Sequence, residues 1–307
     1  MNIRARARAA VVLSFTLWGS TSQATESGVP TTAYGVYDFG AGFLPPPTPN
    51  GTIAGRSAFY KTRLQKDGRG KDTGNDISVS VLSFSLAYLR MTDATFLGAN
   101  YGFRAVAPFF EMNGDLKVNA GGQTVFETHS DLFRQADLQL LPVMLQWHVA
   151  PDIGINAQLQ IQAPTGDYDK NRFMNSGVNH WTFSPILNGT WISEHGLEVS
   201  SSFQLDFNTR NPDTDYKSGV EYRHEFAIGQ HVSDWTVGLG GYYYHQISDD
   251  NAASLENGNR AKVLAVGPAV SYFKPGNLPV WFHIYKEFDA ENRSQGYTAA
   301  VRLAHSF

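Results

Sequence analysis

The breaks between strand-like segments of this chain alternate in length, and that rhythm restricts its fold more than any other feature. Twelve segments have strand character, roughly 53–64, 78–91, 95–111, 135–149, 153–163, 178–192, 196–208, 217–230, 234–248, 261–274, 279–289 and 296–307. Short breaks fall at Met91–Ala94, Ala150–Asp152, Ser193–His195, His231–Ser233 and Pro275–Leu278. The long ones are QKDGRGKDTGND, NGDLKVNAGGQTVFETHSDLFR, PTGDYDKNRFMNSG, NTRNPDTDYKSG, DDNAASLENGNR and AENRSQ. Tight turns on one side and long polar loops on the other are the plan of an all-β, antiparallel, up-and-down transmembrane barrel of the outer-membrane type. With both chain ends on the short-turn side the strand number is even, and twelve satisfies that. A soluble sandwich has no reason to keep such alternation.

Within segments the side chains alternate with period two, so each strand has two unlike faces. In INAQLQIQA, Ile155, Ala157, Leu159 and Ile161 oppose Asn156, Gln158, Gln160 and Gln162. In LEVSSSFQLDFN, Leu197, Val199, Phe203, Leu205 and Phe207 oppose Glu198, Ser200, Ser202, Gln204, Asp206 and Asn208. Aromatic residues gather near segment ends: Tyr88, Tyr101, Phe109, Trp147, Trp181, Trp191, Trp235, Tyr242 to Tyr244, Tyr272, Trp281 and Tyr297. Rings with a polar edge favour the two membrane–water interfaces, which separates a barrel from a sandwich. The charged fraction of 17% is low and the aromatic fraction of 13% high; both suit a wall that faces lipid. The net charge of −4 gives no footprint for nucleic acid. There is no cysteine, which excludes disulfides and thiolate metal sites.

Both ends carry their own signals. Arg4, Arg6 and Arg8 precede a short apolar run, Ala9 to Trp18, and Ser22-Gln23-Ala24 supplies small residues. This reads as a secretory signal, residues 1–24, cleaved after Ala24. Residues 25–52 are rich in glycine, proline and aromatics, with Pro45-Pro46-Pro47 at their centre. Proline argues against a lipid-facing strand. The segment reads as a flexible periplasmic leader, with a plug in the barrel's lower mouth as the alternative. The barrel proper is expected over 53–307. Its last segment, YTAAVRLAHSF, alternates and ends on Phe307, a terminal aromatic of the kind that barrel-assembly machinery reads.

Parity places a set of polar residues inside the barrel. They are Arg104, Gln158, Gln160, His180, Glu198, Asp206, Glu221, Arg223, Glu225, His283 and Arg302. A charge on the lipid face costs about 2–4 kcal/mol at mid-depth, which enforces the assignment. These residues form either a structural ion-pair ladder or a polar path for solute, and the sequence leaves both open. Along one strand Glu221, Arg223 and Glu225 are about 7 Å apart, so Arg223 is expected to pair across strands, with Glu198 or Asp206. Catalysis finds no support: inward Ser184, Ser202 and the acids are scattered, and no G-x-S-x-G is present. No cofactor or catalytic metal is expected. Asp213, Asp215, Asp249 and Asp250 read as solvated loop residues before calcium ligands.

At PTGDYDKNR followed by VNHWTFSPIL, the chain resembles the outer-membrane family named for the MetA pathway of phenol degradation. The resemblance continues through DFNTRNPDTDYKSG, VGLGGYYYHQISDDN, VGPAVSY and KEFDAENRSQGY, and GFLPPP resembles the family's leader. It implies an outer-membrane barrel linked to the degradation of aromatics or similar apolar carbon sources, and with the polar lumen it leads to the expectation of a monomeric barrel among lipid and lipopolysaccharide for passive uptake of small, largely apolar and plausibly aromatic solutes. The rivals are a closed structural or adhesive barrel and a barrel lipase or deacylase. The segment 113–134 matches the family least.

Overall fold

A computed structural model of the chain describes residues 25–26, 30–121, 123–253, 255 and 259–307. The proposed signal, with Arg4, Arg6, Arg8 and its cleavage point, lies outside the described residues. The strands are β1 (Thr52–Lys66), β2 (Asp76–Phe96), β3 (Ala99–Ala120), β4 (Gln123–Gln135), β5 (Gln139–Ala150), β6 (Ile153–Gln162) and β7 (Thr182–Ile192). They continue with β8 (Leu197–Asn208), β9 (Glu221–Val232), β10 (Trp235–Gln246), β11 (Lys262–Tyr272), β12 (Val280–Glu291) and β13 (Arg293–Ser306). Every pairing is antiparallel, and β1 pairs with both β2 and β13, which shuts the ring. Twelve strands form the closed barrel; β4 pairs only with the far half of β3 and stands outside the ring.

Burial runs opposite to that of a soluble sandwich. On β8 the polar face, Glu198, Ser200, Ser202, Gln204, Asp206 and Asn208, is buried. The apolar face shows Leu197, Val199, Phe203 and Phe207 to the outside. On β6, Asn156, Gln158, Gln160 and Gln162 are buried in the same way. A wall that exposes leucine and phenylalanine while burying glutamine and glutamate has lipid outside and a polar lumen inside. Trp181, Trp191, Trp235 and Tyr297 are exposed near strand ends, where interfacial girdles sit. Not every ring follows that rule. Tyr242 and Tyr244 are fully buried in the lumen, and the Trp281 indole N–H donates inward to the Phe39 carbonyl at 3.0 Å. Period two on β10 would have assigned Tyr242 and Tyr244 inward, had the Tyr-Tyr-Tyr run not read as one girdle.

Two expected loops are strands. Residues 113–134 form a β-hairpin, because β3 runs on to Ala120 and turns at Gly121, which has φ of +59°. Above the membrane band the hairpin reverses its polarity. Met112, Leu116 and Leu132 turn inward; Met112 and Leu132 pack with Met174, Phe173, Val79, Val81 and Phe110. Glu111, Asn113, Asp115, Glu127, His129 and Asp131 face out. The switch from exposed Phe109 to exposed Glu111 on one strand marks where lipid gives way to water. AENRSQ is likewise no loop: β12 and β13 meet at Asn292, whose positive φ of 51° closes a tight turn. Similarly β2 continues through Met91–Ala94 and turns at Leu97–Gly98.

If the exposed apolar face sees lipid, Leu187→Arg, at a mid-strand outward position of β7, should cost about 2–4 kcal/mol. Equilibrium unfolding in lipid vesicles checks this; a cost near zero would mean water, not lipid, covers the face. An epitope placed between Asp213 and Asp215 should label on intact cells and one at Ser193 should not, since these breaks lie at opposite ends.

Candidate functional site

Any chain segment inside the lumen must find partners for its backbone N–H and C=O groups. The leader does so along the whole length of the barrel. At the long-loop end the Thr25 N–H donates to Asp250 Oδ2 at 2.9 Å. Glu26 accepts from Thr214 at 2.6 Å and Asn211 at 2.7 Å. Residues 30–44 then run down the lumen, and the Asn50 N–H meets the Phe307 carbonyl at the short-turn end, 3.5 Å away. The leader is therefore neither a free periplasmic tail nor a cap on the lower mouth. Its start lies at the end opposite to the C-terminus, so the two ends of the described chain are not on one side.

The inward side chains are the partners. Glu221 accepts from the Thr31 hydroxyl, and from Asn208 at 2.9 Å. Glu225 accepts three successive backbone N–H groups, Gly35 and Val36 at 2.9 Å and Tyr37 at 2.6 Å. Three N–H groups converging on one anion form a nest, which the backbone makes by a left-handed residue. Here that residue is Gly35, with φ of +63°, and a Cβ on it would lie 2.8 Å from His283 Nε2. Lower down, Glu198 accepts from Gly40 N–H at 2.6 Å, and Thr190 from Gly42 N–H at 2.8 Å. Cations take the carbonyls. Arg223 donates to Ala33 O at 2.6 Å, Arg56 to Tyr34 O at 2.8 Å and Arg302 to Val36 O at 2.7 Å.

Arg223 pairs across strands with Asp206, 3.1 Å away, and both are almost fully buried. Asp206 also accepts from Thr32 at 3.0 Å and Ser184 at 2.5 Å. Glu198, the other candidate partner, instead meets His231 at 2.7 Å. Arg302 pairs with Asp38 of the leader at 2.7 Å and lies over the Trp281 ring. His283 Nδ1 is 3.3 Å from Asp38, and its ring stacks on Tyr285. Arg104 and Gln158 both meet the Tyr37 hydroxyl at 3.3 Å. Gln160 is buried on the same inward face of β6.

His180 is the exception. It precedes β7 at the long-loop end, its Nδ1 is 3.3 Å from the Trp181 carbonyl, and burial holds its pKa below the usual imidazole range. Phe307 is half exposed, and its N–H donates to Gly51 O at 3.0 Å. Asp250 is engaged with Thr25, with Tyr216 at 2.6 Å and with Gly219 N–H at 2.8 Å, and Asp249 pairs with Arg260 at 2.6 Å.

One leader side chain sits in a box of its own. The Tyr34 ring lies 4.8 Å from the Tyr242 ring and 5.3 Å from that of Tyr244. The Arg223 and Arg293 guanidinium carbons are 4.7 and 5.2 Å from its centre. Its hydroxyl accepts from Arg293 at 2.9 Å. Arg293 is in turn fixed by Glu287 at 3.1 Å, and Glu287 accepts from Tyr242 at 2.8 Å and Tyr60 at 2.9 Å. Cations over ring faces and rings at 4.5–7 Å are favourable contacts. Sequence reasoning missed this cluster because Arg293 was read into a loop. Parity on β12 would have found Glu287, two residues from Tyr285 and four from His283.

The lumen is not filled evenly. The leader lies against β5 to β10 and β12, and long side chains reach it from β1, β3 and β13. Ser83, Ser85 and Ala87 of β2 and Val106 of β3 point inward yet keep partial solvent access. The lumen is therefore less tightly filled on its β2–β3 side.

An apolar outer wall, a polar lumen and an internal N-terminal strap define a plugged transmembrane β-barrel. The chain belongs to the family described as "Putative MetA-pathway of phenol degradation", whose model matches residues 62–303. Its fold is similar to the crystal structure of the COG4313 outer membrane channel from Pseudomonas putida F1, with 15% identity and a TM-score of 0.72. That match covers 87% of this chain and 98% of the other. Weaker likenesses are the transport unit of the autotransporter AIDA-I from Escherichia coli (TM-score 0.51, 9% identity, 84% and 90% covered) and the β domain of the Bordetella autotransporter BrkA (TM-score 0.50, 10% identity, 84% and 100% covered). No curated protein matches the chain.

Glu225→Gln removes the charge from the nest while keeping its shape. Hydrogen bonds to a charged acceptor are worth roughly 1.5–3 kcal/mol. Exchange of the Gly35, Val36 and Tyr37 amides should therefore speed up by at least tenfold, with the strand amides still protected. Hydrogen-exchange mass spectrometry in micelles reads both; unchanged protection at 35–37 would show that the nest does not hold the leader.

Proposed function

We propose that the protein is an outer-membrane channel for passive uptake of small, largely apolar compounds, phenol-like aromatics among them, and that residues 30–44 close it in the state described. The observation that carries this reading is the Tyr34 box. Tyr34 presents a phenol, and the box grips its ring with two tyrosines and two guanidiniums and its hydroxyl with Arg293. A solute phenol offers the same face and the same hydroxyl. It competes for the box, frees the leader's mid-section and opens a path through the lumen. Flow then follows the concentration gradient, since no energy-coupling motif is present. The inward polar residues act as leader anchors in the closed state and line the path in the open one. Channel-like folds among the structural relatives favour a passive role over an enzymatic one.

The chain is expected to be exported, cleaved after about Ala24, and assembled as a monomer among lipopolysaccharide. Deleting Phe307 should lower outer-membrane levels and leave precursor in the periplasm on fractionation, since the exposed terminal ring is the part that assembly machinery can reach. The densely hydrogen-bonded lumen also suits a permanently closed structural barrel, and planar-bilayer recording separates the two. Wild type should conduct rarely, p-cresol should raise its open probability, and Tyr34→Ala should be open more often with little further response to p-cresol. Silence of all three, and of a chain lacking residues 30–44, would establish the closed barrel instead.

A further inference from the structure

Lysine on a lipid-facing row is costly at mid-depth and nearly free at the interface, where anionic headgroups can offset it. One such row stands out at the long-loop end. Its registered neighbours run Lys286 on β12, Tyr297 on β13, Lys61 on β1 and Ser80 on β2. All four lie on the outward parity of their strands. Ser78 stands one outward position further up β2, and Arg63, at the bulge between Thr62 and Leu64, is exposed beside it. Below lies a purely apolar row, Ile284, Ala299, Phe59 and Leu82, in the same register.

Among the described residues, Lys61, Arg63 and Lys286 form no ion pair. The Lys286 ammonium sits 5.6 Å from the Phe288 ring centre. Asp289 and Glu291 hold Lys262 at 3.2 and 2.9 Å and Asp115 holds His129 at 2.8 Å, while the exposed Glu111 and Asp131 lie further round the wall on β3 and β4, beyond Leu82 and Ser80. Several other cations at this end are paired, Lys66 with Asp72, Arg210 with Asp215, Arg260 with Asp249 and Lys117 with Glu127. Lys61, Arg63 and Lys286 therefore gather on one arc of the wall, β12 to β1, and face the outer-leaflet headgroups there.

The size and chemistry of the patch narrow the occupant. Lys61 and Lys286 are two strand spacings apart, about 10 Å, so both ammonium groups can reach one phosphate between them over Tyr297. The row from Lys286 to Ser80 spans about 14 Å and offers hydroxyls beside the cations. The apolar row beneath seats acyl chains. Cation, hydroxyl and acyl-chain contacts in that order, from the outside inward, match a phosphorylated sugar carrying fatty acids. We propose that Lys61, Lys286 and Arg63, with Tyr297 and Ser80, bind the glucosamine phosphate of a lipopolysaccharide-type glycolipid in the outer leaflet. The site rests on the outer-membrane placement argued above, but not on conduction, and it is read by a separate measurement.

The test uses the mature barrel in phosphate-free micelles, titrated with bisphosphorylated lipid A, monophosphorylated lipid A, phosphatidylglycerol or inorganic phosphate. Native mass spectrometry counts bound lipid and thermal unfolding follows stabilisation. Bisphosphorylated lipid A should bind one to one and raise the melting temperature, with monophosphorylated lipid A weaker. The K61Q/K286Q chain should bind it at least tenfold more weakly, and K61R/K286R should restore binding, because charge is kept. Both side chains project from the barrel, so the unliganded variants should melt as wild type does; if the double variant does not fold, Lys286→Gln alone is compared. Undiminished binding by the neutral variants would overturn the site. So would equal stabilisation by phosphatidylglycerol, which would mean a general anionic surface, or by inorganic phosphate, which would mean an ion site without lipid.

Discussion

The lumen and the leader complete each other's hydrogen bonds, and the rest of the structure depends on that exchange. An extended chain that joins no sheet has unpaired N–H and C=O groups on every side. A narrow barrel has inward carboxylates and guanidiniums that water reaches poorly. Glu221, Glu225 and Glu198 take the N–H and hydroxyl donors, while Arg223, Arg56 and Arg302 take the carbonyls. Removing the strap would leave several near-buried charges short of partners, which is costly in a partly dry interior. Removing one charge would leave backbone groups of the strap unmet. Ladder and path, which looked like alternatives, are two states of one set of side chains on this proposal.

The outer wall was legible because lipid imposes a strict rule. Period two, an apolar face and alternating break lengths give the barrel, its strand number and the inward parity of Glu221, Arg223 and Glu225. Where lipid stops, the rule stops. The β3–β4 hairpin has water outside and a small apolar core of Met112, Leu132 and Met174 inside. Its pattern is inverted relative to the wall, so it reads as a loop. The cross-strand partner of Arg223 was among two named residues, since register decides between them and register is not written in one strand. Tyr34, Asp38 and the Gly35 nest were not legible. A segment without sheet partners has no periodicity, and its contacts with Glu225 span nearly two hundred residues of sequence.

Glycine and proline in the leader have separate tasks. Gly35 allows the left-handed turn that aims three N–H groups at one carboxylate, and it clears His283. Gly42 lets the strap lie directly on the wall, where a Cβ would come within 2.2 Å of the Gly154 carbonyl. Pro45 to Pro47 lie below the anchored stretch, where the strap leaves the lumen for β1. Proline needs no donor there, and its extended geometry carries the chain from the last anchor, Leu44 on Gln146 at 2.8 Å, to Thr52 with little freedom to lose.

The polarity of the strap bears on how such a molecule is made. Its first described residues lie at the long-loop end, and it descends to β1, which pairs with β13 to shut the ring. Once that seam is closed, the strap cannot be laid in from the side; it can only be drawn end-on through a bore crowded with tyrosine and arginine. End-on threading would carry the strap past each inward charge in turn, so the less obstructed route lays the leader across the unclosed sheet before β13 pairs with β1. The strap is then a template for curvature as much as an obstruction, since its anchors on β5 to β10 draw one arc of the wall around a common axis before the edges meet.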